Sequence, residues 1–252
     1  MTRYVIDKHF TSSVERTPRV LEIAEGFGLG LSDKRFTVYD QVKLEVLQGD
    51  IVYITGQSGS GKSLLLRELA VQMRAEGLAV ADLNEVVLEE KPVIELIGRT
   101  TVEAADLLAK AGISDAWIYI RKPSELSDGQ RYRLKLAKVM ESGADVWVAD
   151  EFGAVLDRVT AKVIAFNMQK VARANGKTLL VATTHKDLRD ELAPNLYVDK
   201  RFRDKIDIET APALAGPPET KTVLGCEHVY SRAIHQPTPR LCRKCGAPEL
   251  PR

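Results

Sequence analysis

The chain has 252 residues, 44% hydrophobic and 28% charged, with 36 basic and 35 acidic side chains. That fits one or two soluble globular domains with a substantial core, and a net charge of +1 singles out no partner. No apolar run approaches the roughly 20 residues of a membrane helix, so membrane insertion is not expected. The segment Met1–Lys8 lacks the apolar core of a secretory signal. Three cysteines, all after residue 225, argue against a disulfide scaffold and for a reducing cytoplasm.

In chain order, residues 19–24 and 42–46 alternate apolar and polar side chains and read as half-buried antiparallel strands. Ile51 to Thr55 is a β-branched run entering a glycine loop. Leu64 to Ala75 has helical spacing, with Leu65, Leu66, Leu69 and Met73 on one face, and Gly77 stops it. Leu78 to Leu83 reads as a strand, and 93–111 as a helical arm in two pieces joined near Gly98. A basic helix over Gln130–Glu141, a buried strand over Asp145–Ala149, a helix over Val159–Ala174 and a strand over Thr178–Thr183 follow. Strands alternating with helices predict an α/β fold with a mainly parallel sheet, and the early antiparallel strands form a separate layer. Around residues 211–222, Pro212, Gly216, Pro217 and Pro218 mark a linker.

Three stretches carry chemistry. Gly56-Gln57-Ser58-Gly59-Ser60-Gly61-Lys62-Ser63 fits G-x-x-x-x-G-K-S between a strand and a helix. Its backbone N–H groups turn inward on phosphates, Lys62 charges the β and γ positions, and the Ser63 hydroxyl suits Mg²⁺. The apolar strand ending in Asp150-Glu151 offers one carboxylate for Mg²⁺ and one to orient or deprotonate an attacking water. Ser127 and Asp128 at the head of the basic helix can each cap it, and a serine with glycine N–H groups there makes an anion site.

The ordered set of phosphate loop, Leu126-Ser127-Asp128-Gly129-Gln130, acidic strand, Ala154-Val155-Leu156-Asp157 and strand-end His185 resembles the ATP-binding cassette (ABC) ATPases, over about residues 19 to 209. The resemblance implies a P-loop NTPase of ABC type over residues 1–210 that hydrolyses ATP as a dimer. Lys62, Glu151 and His185 are then catalytic. Ser127, Asp128, Gly129 and Gln130 form the signature that closes over nucleotide held by the opposite copy, and Asp157 belongs to the loop along the dimer seam. Asp128 departs from the glycine commonest at its position. Asn84 stands where transporter members carry glutamine, as a further Mg²⁺ or water ligand. Phe27, Phe36 and Tyr39 are candidates for adenine stacking, with Phe27 preferred.

The short arm and Asn84 argue against transport, and the stretches Gly49–Gly56, Asp82–Val86 and Glu125–Arg133 resemble a soluble ABC-type ATPase family. That family is often fused to an acetyltransferase-like domain, for which 252 residues leave no room. A soluble ATPase driving a partner complex is therefore the leading expectation. A nucleic-acid-associated ATPase, a transporter subunit and a slow nucleotide switch stay open. Beyond the linker, residues 223–252 carry Cys226-x-His228, thirteen residues, then Cys242-x-x-Cys245-Gly246, a spacing that suits tetrahedral Zn²⁺ in a segment too small to fold unaided. His235 could replace His228, and a redox pair or a solvated tail are the alternatives. The same tail holds six Lys or Arg against two acids, which permits an unidentified protein or nucleic-acid partner.

Overall fold

The computed structural model describes residues 2–210. The linker and the expected zinc ligands Cys226, His228, Cys242 and Cys245 lie outside the described residues. The chain opens with β1 (Thr2–Ser12), α1 (Pro18–Phe27) and β2 (Lys34–Val46). β1 and β2 pair antiparallel, Tyr4 opposite Leu44 and Phe10 opposite Phe36, as a two-stranded layer.

Residues 19–24, expected as a strand, are therefore helical. The ends decide it. Thr17 caps the first turn by accepting from Val20 N, Pro18 presets the first helical φ, and Gly28 closes the helix at φ +63. The strand that pairs with residues 42–46 is instead β1, where buried Tyr4 and Ile6 alternate with more exposed neighbours.

The central sheet is built from β3 (Ile51–Gly56), β4 (Val80–Asp82), β5 (Val146–Ala149), β6 (Thr178–Thr183), β7 (Leu196–Lys200) and β8 (Ile206–Thr210). Its order is β4-β5-β6-β3-β7-β8, parallel except for the β7–β8 hairpin. The parallel strands β3, β5 and β6 are buried end to end because helices cover both faces.

Period-two alternation sorts their side chains. Val52 and Ile54, Val146 and Val148, and Leu180 and Ala182 join Tyr4, Ile6 and Leu44 around α2 (Lys62–Ala75). Ile51 and Tyr53, Trp147 and Ala149, and Leu179 and Val181 face the opposite core. That second core is filled from α3 (Thr101–Lys110), α4 (Ala116–Tyr119), α5 (Asp128–Glu141), α6 (Arg158–Ala174) and α7 (Arg189–Leu192).

The arm is less helical than its spacing suggests. Val93–Glu95 forms only a 3₁₀ turn, and α3 starts after Gly98. Pro92 directly precedes that turn, and Gly98 takes φ +70.

Candidate active site

The parallel strands end along one edge of the sheet, and the expected phosphate loop, carboxylates and histidine follow β3, β5 and β6 at that edge. The loop between β3 and α2 turns tightly. Gly56 takes φ +148, and a Cβ there would meet the Lys200 carbonyl oxygen at 2.0 Å. Gly61 caps α2 at φ +103 and lies against Val38 and Tyr39, whose hydroxyl donates to Gly61 O at 2.9 Å. Ser63 sits in the first turn of α2, half-buried, while Gln57, Ser58 and Gly59 are exposed.

Lys62 is only 8% exposed and folds back over the loop, its ammonium donating to Gln57 O at 2.7 Å. Burial lowers its pKa, opposed by the negative field of Asp150 and Glu151. That opposition places both carboxylates within electrostatic reach of the loop lysine. Ser60 Oγ is buried with no hydrogen-bond partner among the described residues. An orphaned buried hydroxyl in a phosphate loop fits a ligand oxygen that would satisfy it.

β5 delivers Asp150 half-buried and Glu151 exposed. Glu151 takes φ +50, a left-handed conformation that costs a non-glycine residue about 1 kcal/mol or more. The turn is held from both sides. Asp150 Oδ1 accepts from Glu151 N at 3.0 Å, and Phe152 N donates to Ala182 O of β6 at 2.9 Å. The Tyr132 hydroxyl of α5 accepts from Gly153 N at 3.0 Å, and its ring meets Phe152 edge-on at 6.3 Å.

Asp82, at the end of the neighbouring β4, escaped the sequence reading. Burial raises its carboxyl pKa, with the charges of Glu85 and Asp150 adding to the effect. Asn84 is exposed in the 3₁₀ turn Leu83–Glu85, and its own N–H donates to the capping Asp82 Oδ1 at 2.8 Å. Asp82 is thus the group at this strand end that feels Asp150. Its clue was its place at the end of a strand, two residues before the amide. Among the described residues no three His, Cys, Asp or Glu side chains gather into a metal site. A Mg²⁺ ion here would draw on Ser63, Asp150 and phosphate oxygens, a donor set that suits it.

His185 follows β6, half-buried. Its N–H donates to Thr183 Oγ1 at 3.2 Å and its carbonyl accepts from the Tyr53 hydroxyl. Burial, and then the Arg158 charge, hold its imidazole below the usual pKa.

Ser127 caps α5 reciprocally. Its Oγ accepts from Gln130 N at 3.3 Å, and its N–H donates to Gln130 Oε1 at 2.9 Å. The Asp128 carboxylate is matched by Arg131 at 2.5 Å, which offsets a negative charge at a helix N-terminus offered to phosphate. Gly129 faces the Asp157 loop, where a Cβ would meet Val155 O and Leu156 at 3.4 Å. Asp157 caps α6, accepting from Thr160 N at 2.9 Å and from the Thr160 hydroxyl. None of the hydrogen bonds of Ser127–Gln130 reaches the phosphate loop of the same chain.

Phe27 is 74% exposed at the end of α1 and does not line the cavity beside the phosphate loop. That cavity, about 850 Å³, is walled by Phe10 and Phe36 of the β1–β2 hairpin, floored by Gly59–Gly61 and closed by Phe202 and Arg203. Tyr39, the third candidate, is fully buried. Phe10 lay in a stretch to which the sequence reading assigned no element.

The chain is 31% identical over 208 residues to an aliphatic sulfonates import ATP-binding protein of Rhodococcus jostii, covering 75% of this chain and 81% of that protein. A Delftia acidovorans protein of the same description is 32% identical over 212 residues, 76% of this chain and 84% of its own. A solved dimeric ATP-binding cassette, in a post-hydrolysis state with ADP and Pi, superposes with a TM-score of 0.60 at 16% identity, covering 84% of this chain and 100% of that one. No protein-family model matches. A phosphate loop, a strand-end carboxylate pair and a capped signature helix on this sheet, with relatives that span three quarters of the sequence, establish that the chain belongs to the ATP-binding cassette superfamily and is an ATP hydrolase.

Proposed function

We propose that the chain is the nucleotide-binding subunit of a transporter, hydrolysing Mg-ATP at two composite sites in a head-to-tail dimer and working on a membrane permease partner. The placement of Asp150 and Glu151 at the end of β5, in the same row of parallel strand ends that carries the phosphate loop after β3, carries the hydrolytic half of this reading. The relatives described as import ATP-binding proteins support the transport half. This reverses the expectation of a soluble ATPase with another task. Val87, Trp117 and Ile120, between β4 and the signature and 85%, 69% and 62% exposed, offer apolar surface such a partner would cover.

Each side chain has a task set by its place. Lys62 neutralises the phosphates nearest the cleaved bond. Ser63 and Asp150 would hold Mg²⁺, which supplies charge neutralisation between the β and γ phosphates. Glu151 accepts the proton of the attacking water, and a neutral His185 keeps that water and the γ-phosphate in place. Ser127 and Gly129 of the second copy close the site with the dipole of α5 behind them. Phe10 replaces Phe27 as the base-stacking ring. Losing the γ-phosphate contact would let the dimer open, which is the motion handed to the partner.

Glu151→Gln removes the base and keeps the shape. The expected result is a hydrolysis rate lower by roughly a hundredfold or more and a stable dimer with Mg-ATP by light scattering. A monomer under those conditions contradicts the proposal. A second reading, work on a soluble partner, is favoured by Asn84 and by the four-residue α4 in a short arm. Recovery of the ATP-trapped variant with the membrane fraction supports the first reading, and recovery free of membranes the second.

A further inference from the structure

The turn joining β7 to β8 is fastened to the phosphate loop more firmly than a hairpin end requires. Lys200 is fully buried, and its ammonium donates to Arg201 O at 2.9 Å and to Arg203 O. The same ammonium lies 5.0 Å from the centroid of the Tyr39 ring, whose hydroxyl binds Gly61 O. At the other end of the loop, Gly56 backs onto the Lys200 carbonyl closely enough to exclude any Cβ. The turn is thus tied to the first and last residues before Lys62.

Burying an ammonium with no carboxylate in hydrogen-bond contact is unfavourable, and it pulls the Lys200 pKa down against the opposing charge of Asp204. The fold accepts that penalty, and a left-handed Arg203 at φ +61, in the same five residues.

What this fastening positions is a wall. Phe202 and Arg203 line the 850 Å³ cavity together with Phe10 and Phe36 of the opposite hairpin, and Gly59–Gly61 form the floor between them. Arg203 has no carboxylate partner among the described residues, and its guanidinium lies 5.9 Å from the Phe202 ring centroid. The volume is in the range of a small-ligand site. Aromatic rings and a guanidinium plane are the groups on which a base stacks.

We propose that Phe202 and Arg203 form the second wall of a nucleobase site, so that the base of the bound nucleotide is held between the β1–β2 hairpin and the β7–β8 turn. Thr37, Asp204, Arg35 and Arg67, also in the lining, are side chains that can hydrogen-bond the edge of the base. The proposal rests on the reading of the phosphate loop as the triphosphate site.

Calorimetric titration of the full chain with Mg-ATP and, separately, with inorganic tripolyphosphate separates base from phosphate. Phe202→Ala and Arg203→Ala should each weaken ATP about tenfold, the scale of one base stack, and leave tripolyphosphate unchanged. Phe202→Trp should keep ATP binding. An ATP affinity within about twofold of wild type in both alanine variants overturns the proposal. So does an equal loss for both ligands, which would make Arg203 a phosphate contact. A wild-type chain that binds neither ligand overturns the triphosphate reading and this proposal with it.

Discussion

His185 is the residue whose protonation state the fold controls most visibly. Burial and the guanidinium of Arg158 both disfavour the imidazolium, so its pKa lies below the ordinary 6.5. The ring is neutral at pH 7 and stays neutral as pH falls past the ordinary value. Arg158 itself is paired with Asp187. Arg158→Met removes a positive charge from beside the ring and leaves the Asp187 carboxylate unpaired, and both changes favour protonation. The acid limb of the kcat–pH profile should therefore move to higher pH in Arg158→Met, with the plateau above pH 8 little changed. An acid limb that stays where it is, or moves down, removes Arg158 from control of the histidine. Lys62 and the two carboxylates were legible as residues, because their spacing states their chemistry. Asp82 was not, since an acid at a strand end means nothing until β4 is known to lie beside β5.

At the scale of elements, the close approach of β7 to the phosphate loop makes a sharp contrast between two glycines. Gly56 and Gly59 both take positive φ, but only Gly56 has no space for a side chain. Gly59→Ala should cost about 1 kcal/mol of strain and fold normally. Gly56→Ala forces β3 away from β7, a central contact of the sheet, and should cost at least about 3 kcal/mol. Thermal unfolding of the two variants checks the difference, and equal midpoints would mean that the strands part more easily than their packing implies.

The elements read correctly from sequence are those whose signals are redundant. β3, α2, β5, α6 and β6 each combine periodicity, length and a glycine or cap at the boundary. α1 has a short alternating stretch whose caps at Thr17 and Gly28 point the other way, and the caps decide. Phe27 was preferred as the base-stacking ring on the family resemblance, and it does not line the cavity beside the phosphate loop, which Phe10 does. β8 escaped because four of its five residues are exposed and its polar pattern matches no core strand.

On the scale of the molecule, the two cores on either face of the sheet hold different parts of one site. The core around α2 supports the phosphate loop, and the core around α5 and α6 supports the signature and the Asp157 loop. Within the second of these halves, Gly129 lies against Val155 and Leu156, and Tyr132 accepts from Gly153 N. The capped head of α5 makes no hydrogen bond to its own phosphate loop, which is the arrangement expected if, as proposed, a second copy supplies the signature in a head-to-tail dimer.

Complementation between two inactive variants tests that claim most directly. Lys62→Ala abolishes the loop of its own chain and Ser127→Arg blocks the signature. In a mixed dimer one site carries both defects and the other carries neither. Mixing the two inactive proteins should restore ATP hydrolysis to roughly a quarter of the wild-type rate per chain, from random pairing and one intact site in each mixed dimer. A mixture no more active than its components would contradict a composite site and return the whole reaction to a single chain.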